Sequence, residues 1–144
     1  MVDLKKLSYR IKKNEGFSNI VYNDILGNQT IGYGHLVKKN EKFKKNKKYK
    51  KFFLNNIFKK DLNKAIKIYN EIFKEFVFPA NVTEVLIEMI FQLGKKRFMS
   101  FKKMIKALKK QDYILASKEM ENSLWKKQPP KRVLKLSKAI MGKK

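Results

Sequence analysis

Apolar positions along this chain recur mostly at three- and four-residue steps, the period of a helix with one buried face. Leu4, Leu7 and Ile11 predict a short amphipathic helix over residues 3–13. It ends near Glu15 and Gly16, where glycine can supply a left-handed closing residue. Phe58, Leu62, Ala65, Ile66, Tyr69, Ile72, Phe73 and Phe76 predict a long helix over about 57–76, stopped by Pro79. Asn81, with Glu84 three residues later, has the form of a capping box. It would open a helix with Val82, Val85, Leu86, Met89, Ile90 and Leu93 inward, closed by Gly94. Ser100 and Asp112 are candidate caps for two more helices. The first would bury Phe101, Met104, Ile105 and Leu108, the second Leu115, Ala116 and Met120. Pro129 and Pro130 precede a last helix carrying Val133, Leu136 and Ile140.

One segment breaks this period. From Ile20 to His35, β-branched and aromatic residues mix with turn formers, which predicts a hairpin. If Ile25, Leu26 and Gly27 form a three-residue loop, Gly27 takes the left-handed position, Asp24 faces Asn28, and Tyr22 faces Thr30. Alternation then puts Tyr22, Asp24, Thr30, Gly32 and Gly34 on one face. Val21, Ile25, Ile31, Tyr33 and His35 make the other, mostly apolar face. A two-residue turn at Gly27 and Asn28 would instead separate Asp24 from Thr30. The expected fold is α+β and mostly helical, in a single domain of two lobes. A small N-terminal β-hairpin lobe covers about 12–56, a long interlobe helix about 57–76, and a helical C-terminal lobe about 77–144 plus the N-terminal helix.

Composition supports a core despite the charge: of 144 residues, 43% are hydrophobic and 11 are Phe, against a net charge of +24. Zero Cys excludes disulfides, thiolate zinc sites and cysteine nucleophiles. No apolar run approaches the roughly 18–20 residues that span a bilayer. The start, "MVDLKKLSYRIKKNEG", lacks the apolar core of a signal peptide, so synthesis and folding in a cytoplasm are expected. Of 36 basic residues only Arg10, Arg97 and Arg132 are arginine, the side chain suited to bidentate reading of guanine or phosphate. No base-reading motif accompanies them, so no specific nucleic-acid partner is expected. Residues 38–51 hold nine lysines without a periodic apolar face, which predicts an exposed loop or irregular strand. The lysines imply a generic attraction to polyanions.

Glycines within a strand suggest close approach by a ligand or another backbone. Glu15 at a helix end and Asp24 on a hairpin rim could face each other across a cleft. Two carboxyls held so are what cleavage of a glycosidic bond requires. One is protonated and donates to the leaving oxygen; the other is ionised and activates water or stabilises positive charge. A gap that admits water inverts the anomeric centre, and the Thr30 hydroxyl beside Asp24 could help hold that water. The same residues are equally ordinary as helix-end and turn chemistry.

The stretch "NEGFSNIVYNDILGNQTIGYGH" resembles the active-site segment of the phage lysozymes of glycoside hydrolase family 24. The shared elements are a Glu, an Asp after eight intervening residues, a Thr after five more, and a T-I-G-x-G-H ending, here without a gap. "IFKKDL", "EMIFQLG", "FKKMIKALKKQDY" and "SLWKKQPPKRV" extend the resemblance over residues 10–36, 57–66 and 86–136, but not over 38–52. It implies a lysozyme-like two-lobe fold and a muramidase with Glu15 as general acid, Asp24 as the carboxylate that activates water, and Thr30 positioning that water. His35 would be a structural histidine at the lobe junction, paired with Asp61. Arg132 would orient Glu15, and Trp125 and Gln92 would brace the cleft wall. Gly34 would clear space for a sugar, and Leu36 and Phe91 would line the cleft. Met104 and Glu119, as subsite contacts, depart from the family's small or neutral polar groups.

No metal or cofactor is implied, because carboxyls and water supply the chemistry. The implied partners are bacterial peptidoglycan and, through the lysines, the anionic cell envelope. A monomeric phage endolysin made in the host cytoplasm would need a holin to open the membrane before it reached the wall. The alternative from another class is a non-catalytic cationic protein that binds wall or membrane on the same fold.

Overall fold

The computed structural model describes residues 2–124 and 130–142. The element order is α1 (Leu4–Glu15), β1 (Ser18–Asn23), β2 (Gln29–Gly32), β3 (His35–Leu36), α2 (Lys51–Ile72), α3 (Ala80–Met99), α4 (Lys102–Lys109), α5 (Tyr113–Leu124) and α6 (Pro130–Ile140). This is the mostly helical α+β class expected. The chain forms two compact units, residues 3–64, and residues 65–144 together with 1–2. The first unit takes in α1. No described helix is long and apolar enough to cross a membrane.

In the first unit, α1 starts where Asp3 accepts hydrogen bonds from the Lys5 and Lys6 amides, satisfying two N-terminal donors. Leu7 and Ile11 are fully buried, and burial of side chains of this size contributes roughly 1.5–3 kcal/mol each. Gly16, at φ 74°, ends the helix as expected and returns its amide to the Lys12 carbonyl. The sheet order is β1-β2-β3, all antiparallel. The hairpin register follows the three-residue loop: Tyr22 pairs with Thr30, Asn23 with Gln29, and the Asp24 amide donates to the Asn28 carbonyl at 2.9 Å. An irregularity between Ser18 and Tyr22 bends β1.

The alternation runs out sooner than expected. Gly32 and Gly34, at φ 66° and 73°, turn the chain back, so Gly34 lies in a tight loop and not on a strand face. His35 then pairs with Ile31 on a third strand. Ile25, expected on the apolar face, sits fully exposed in the hairpin loop, because the loop lifts it off the sheet.

Residues 37–50 carry no helix or strand, in line with their lysine content. Within them Phe43 packs edge-on against Tyr49 at 5.2 Å, and the Tyr49 hydroxyl accepts from the Lys44 amide at 2.8 Å. The following helix begins at Lys51, earlier than the sequence pattern indicated, because Leu54 extends the buried row of Phe58, Leu62, Ala65 and Tyr69 one turn upstream. It ends at Ile72, well before Pro79. There Phe73 is buried and contacts Phe78 at 5.3 Å, and the Phe76 amide donates to the Phe73 carbonyl.

In the second unit the core is drawn from α3, α4, α5 and α6, with Val85, Leu86, Met89, Leu108, Met120 and Val133 among its fully buried members. Gly94 breaks α3 at φ 79°, at the position where the sequence closes the helix. The proposed capping box does not form. Asn81 lies inside the helix and donates instead to the carbonyls of Ala139 and Ile140, tying α3 to the end of α6. Ser100 likewise caps nothing ahead of it; its hydroxyl turns back to the Arg97 carbonyl. Asp112 does cap α5, accepting from the Leu115 amide at 3.1 Å. Leu115 itself is exposed, and Ser117 takes the inward position.

Candidate active site

Glu15 is the last residue of α1, immediately before the Gly16 cap. Its carboxylate rests on the Gly32–Gly34 turn: a Cβ placed on Gly34 would lie 2.5 Å from Glu15 Oε2 and 3.2 Å from its Cδ. Only glycine lets the backbone come so close, and only glycine adopts φ 73° without strain. The end of α1 is also fixed to that turn through Lys12. Its ammonium lies 4.9 Å above the rings of Tyr33 and Phe58 and donates to Asn55 at 3.1 Å. Burial, followed by repulsion from Lys51 and Lys59, lowers the Lys12 pKa.

Asp24 sits at the base of the hairpin loop. Its Oδ1 accepts from the Leu26 amide at 2.9 Å and the Asn28 amide at 2.8 Å. Oδ2 is approached by the Asn28 side-chain amide at a long 3.5 Å. One carboxylate oxygen therefore builds the turn and the other remains open to a proton. The turn-chemistry reading and the catalytic reading apply to different atoms of one group.

Thr30 is 3% exposed, and its hydroxyl donates to the Asn28 carbonyl at 3.1 Å. With its proton so committed, Oγ1 can only accept from a water. Tyr22, directly opposite Thr30, connects the two carboxyls: its pKa is raised by burial first, then by the charges of Glu15 and of Asp24. Both carboxylates thus act on one phenol. Alternation puts Tyr22 on this face without giving it a role.

His35 has a carboxylate on each ring nitrogen. Nδ1 lies 2.7 Å from Asp61, as the sequence suggested, and Nε2 lies 3.0 Å from both oxygens of Glu41. With both nitrogens facing acceptors the ring is an imidazolium. The Asp61 hydrogen bond is the largest influence and raises the His35 pKa against the lowering effect of burial. Burial pushes Glu41 up, but hydrogen bonds from the Lys38 amide and His35, with their charges, hold it below its ordinary value. Glu41 was missed in the sequence, although it is the sole acidic residue of the lysine run.

The signs of these shifts set a pH window. The His35 contribution to stability is complete below its unfolded pKa of about 6.5 and is lost as pH rises through the raised folded value. The Glu41 contribution is present above about 4.5 and is lost as pH falls through the lowered value. His35 is the single histidine, so its ring resonances can be followed without ambiguity by NMR. Asp61→Asn is expected to lower its pKa most and Glu41→Gln less; an unchanged titration in both variants would contradict the two-carboxylate clasp.

The other expected residues are placed as follows. Leu36 is 52% exposed on β3, and Phe91, Gln92 and Glu119 are partly exposed. Met104 is a correction: it is fully buried in the core, so it offers no surface to a sugar, and the helical period that put it inward takes precedence. Arg132 donates to Glu88 at 3.5 Å, a fully buried carboxylate on α3 that the sequence reading left without a role. Trp125 lies outside the described residues. Among the described residues no group of three or more His, Cys, Asp or Glu is arranged to hold a metal ion.

Comparison with known proteins bears on what this arrangement is for. The sequence model of the family described as phage lysozyme matches residues 12–139, nearly the whole chain and all of the sites above. The chain belongs to the phage lysozyme family. Relatives include "Probable T4-type lysozyme 2" of Dictyostelium discoideum, 28% identical over 90% of this chain and 89% of its own length. "Probable T4-type lysozyme 1" of the same organism is 29% identical over 85% of each. Membership makes this lysozyme-family chain a glycoside hydrolase of the lysozyme type.

Gly34 tests the packing that holds Glu15. Gly34→Ala is expected to displace the carboxylate and reduce lysozyme activity about 10²-fold, the scale on which a 1 Å misplacement acts. Turbidity clearing of bacterial walls would measure it, with circular dichroism to show that the helices survive. Activity within a factor of two of the parent would mean that the contact does not position a group the reaction needs.

Proposed function

We propose that this lysozyme-family protein is a muramidase hydrolysing the β-1,4 bond between N-acetylmuramic acid and N-acetylglucosamine in bacterial peptidoglycan, with inversion. The observation that carries the reading is geometric: the Asp24 amide and the Thr30 hydroxyl both donate to the Asn28 carbonyl, Asp24 Oδ2 is left for a proton, and the Glu15 carboxylate rests on the Gly34 turn of the same sheet. Glu15, protonated, donates to the glycosidic oxygen as the bond to the anomeric carbon breaks. A water attacks that carbon from the other face. Asp24 Oδ2 takes one of its protons while Thr30 Oγ1 accepts a hydrogen bond from the other, which aims the oxygen lone pair at the sugar. Glu15 ends ionised and Asp24 protonated, and exchange with solvent resets both.

Leu36, Phe91, Gln92 and Glu119 are the side chains we assign to glycan contact, all at least partly exposed. The lysines favour the anionic envelope, with attraction that weakens as salt screens it. The setting we propose is a monomeric phage endolysin released to the wall by a holin, a role supported by the family's description alone.

Digestion of purified peptidoglycan tests the chemistry. New reducing ends on muramic acid, appearing first as the α anomer, are the expected products. A product lighter by one water, with a 1,6-anhydro ring, would replace hydrolysis with transglycosylation. A retained β anomer would remove the single-displacement mechanism.

A further inference from the structure

A second concavity in the first unit has no part in the carboxyl pair. It is a cavity of about 440 Å³ bounded by residues 38–49, His35 and the first turns of α2. Four lysines line it: Lys38 and Lys42 from the irregular segment, Lys60 and Lys64 one turn apart on α2. Glu41 and Asp61 also line it, but both are engaged by the His35 imidazolium. The lining therefore carries a formal excess of three positive charges, and none of the four ammonium groups makes a salt bridge among the described residues. A partly enclosed surface of one sign concentrates counter-charge.

The opposite character comes from three rings. Phe43 meets Tyr49 edge-on at 5.2 Å, and Tyr49 stacks on Phe53 at 5.9 Å and 27°, with Phe53 46% exposed. This is an aromatic wall beside a cationic rim, and it is pre-formed. Glu41 holds the loop by accepting from the Lys38 amide at 2.8 Å and from His35, and Tyr49 holds it through the Lys44 amide. Pre-organisation of this kind removes an ordering cost from binding.

We propose that this cavity binds a phosphorylated sugar, with the C–H face of the pyranose against Phe53 and Tyr49 and the phosphate among the lysines. Lysines are rotatable point charges suited to a tetrahedral oxyanion that needs no fixed fork. No Arg, Asn or Gln lines the cavity to read the edge of a base, which favours a sugar phosphate over a nucleotide. Sugar phosphates occur both in wall polymers and in lipid headgroups, and the chemistry of recognition is common to the two.

Calorimetry on the full chain with glucosamine 6-phosphate as probe tests this without turnover, so its failure and that of the muramidase reading are separate results. Saturable binding is expected, at least about tenfold tighter than glucosamine, inorganic phosphate or AMP, the worth of one charge-assisted hydrogen bond. Lys60→Ala with Lys64→Ala is expected to weaken it about tenfold or more, and Phe53→Ala several-fold; all three side chains are exposed, so folding is retained. Equal binding of AMP or phosphate, or indifference to the lysine pair, would overturn the proposal. Competition by a soluble sugar-phosphate wall polymer, or by vesicles carrying phosphorylated glucosamine headgroups, identifies the source. Competition by neither would also overturn it.

Discussion

Glu15→Gln is expected to reduce release of muropeptides by about 10²–10⁴-fold, the span that a positioned general acid contributes. The amide is isosteric, so the close packing on Gly34 is kept while the transferable proton is lost. Helix α1 should retain its Gly16 closure, and thermal stability should change little. Because the Glu15 charge helps to raise the Tyr22 pKa, the Tyr22 hydroxyl should titrate lower in the variant. That shift is a readout of the carboxyl's position that does not depend on activity. Lysis undiminished by the substitution would favour the competing view, in which a protein of charge +24 disrupts the envelope without cutting it.

Asp24→Asn is expected to be as damaging to turnover, again about 10²–10⁴-fold, and nearly silent in the fold. Asparagine offers the same carbonyl oxygen to the Leu26 and Asn28 amides, so the hairpin loop stays closed. What it cannot do is take a proton from water on the second atom. Asp24→Ala should differ by losing both functions, with added destabilisation of about 0.5–1.5 kcal/mol for each hydrogen bond lost, since the exposed amides turn to water. Denaturant midpoints and initial rates, measured on both variants, separate turn-building from catalysis. Equal rates for Asp24→Asn and the parent would end the water-activating assignment.

Much of the carboxyl face was legible from alternation and from one loop rule. Gly27 suits the third position of a three-residue loop, one of the two turns the sequence allows, and that loop is the one that sets Tyr22 opposite Thr30. Helical periods found nearly every core position because apolar side chains report their own burial. Caps were less legible. Asn81 and Ser100 carry the right side chains, but each found a carbonyl elsewhere, and nothing local in the sequence reveals that competition. Glu41 escaped for a related reason: its partner, His35, is six residues away across an irregular loop that has no period to read. Met104 shows a resemblance and a period in conflict, and burial sided with the period.

The hairpin loop has a consequence for how this protein can vary. Asp24 is aimed by the amides of Leu26 and Asn28, and neither of those bonds involves a side chain of the loop residues themselves. Ile25 and Leu26 project into solvent, so their identities are open to drift. Selection on the Asp24 carboxylate would therefore act through the peptide backbone, and positions 25 and 26 can diverge while the loop keeps its geometry, provided glycine stays at 27, where φ is 82°. The one exchange it excludes at position 26 is proline, which lacks the hydrogen that Asp24 receives.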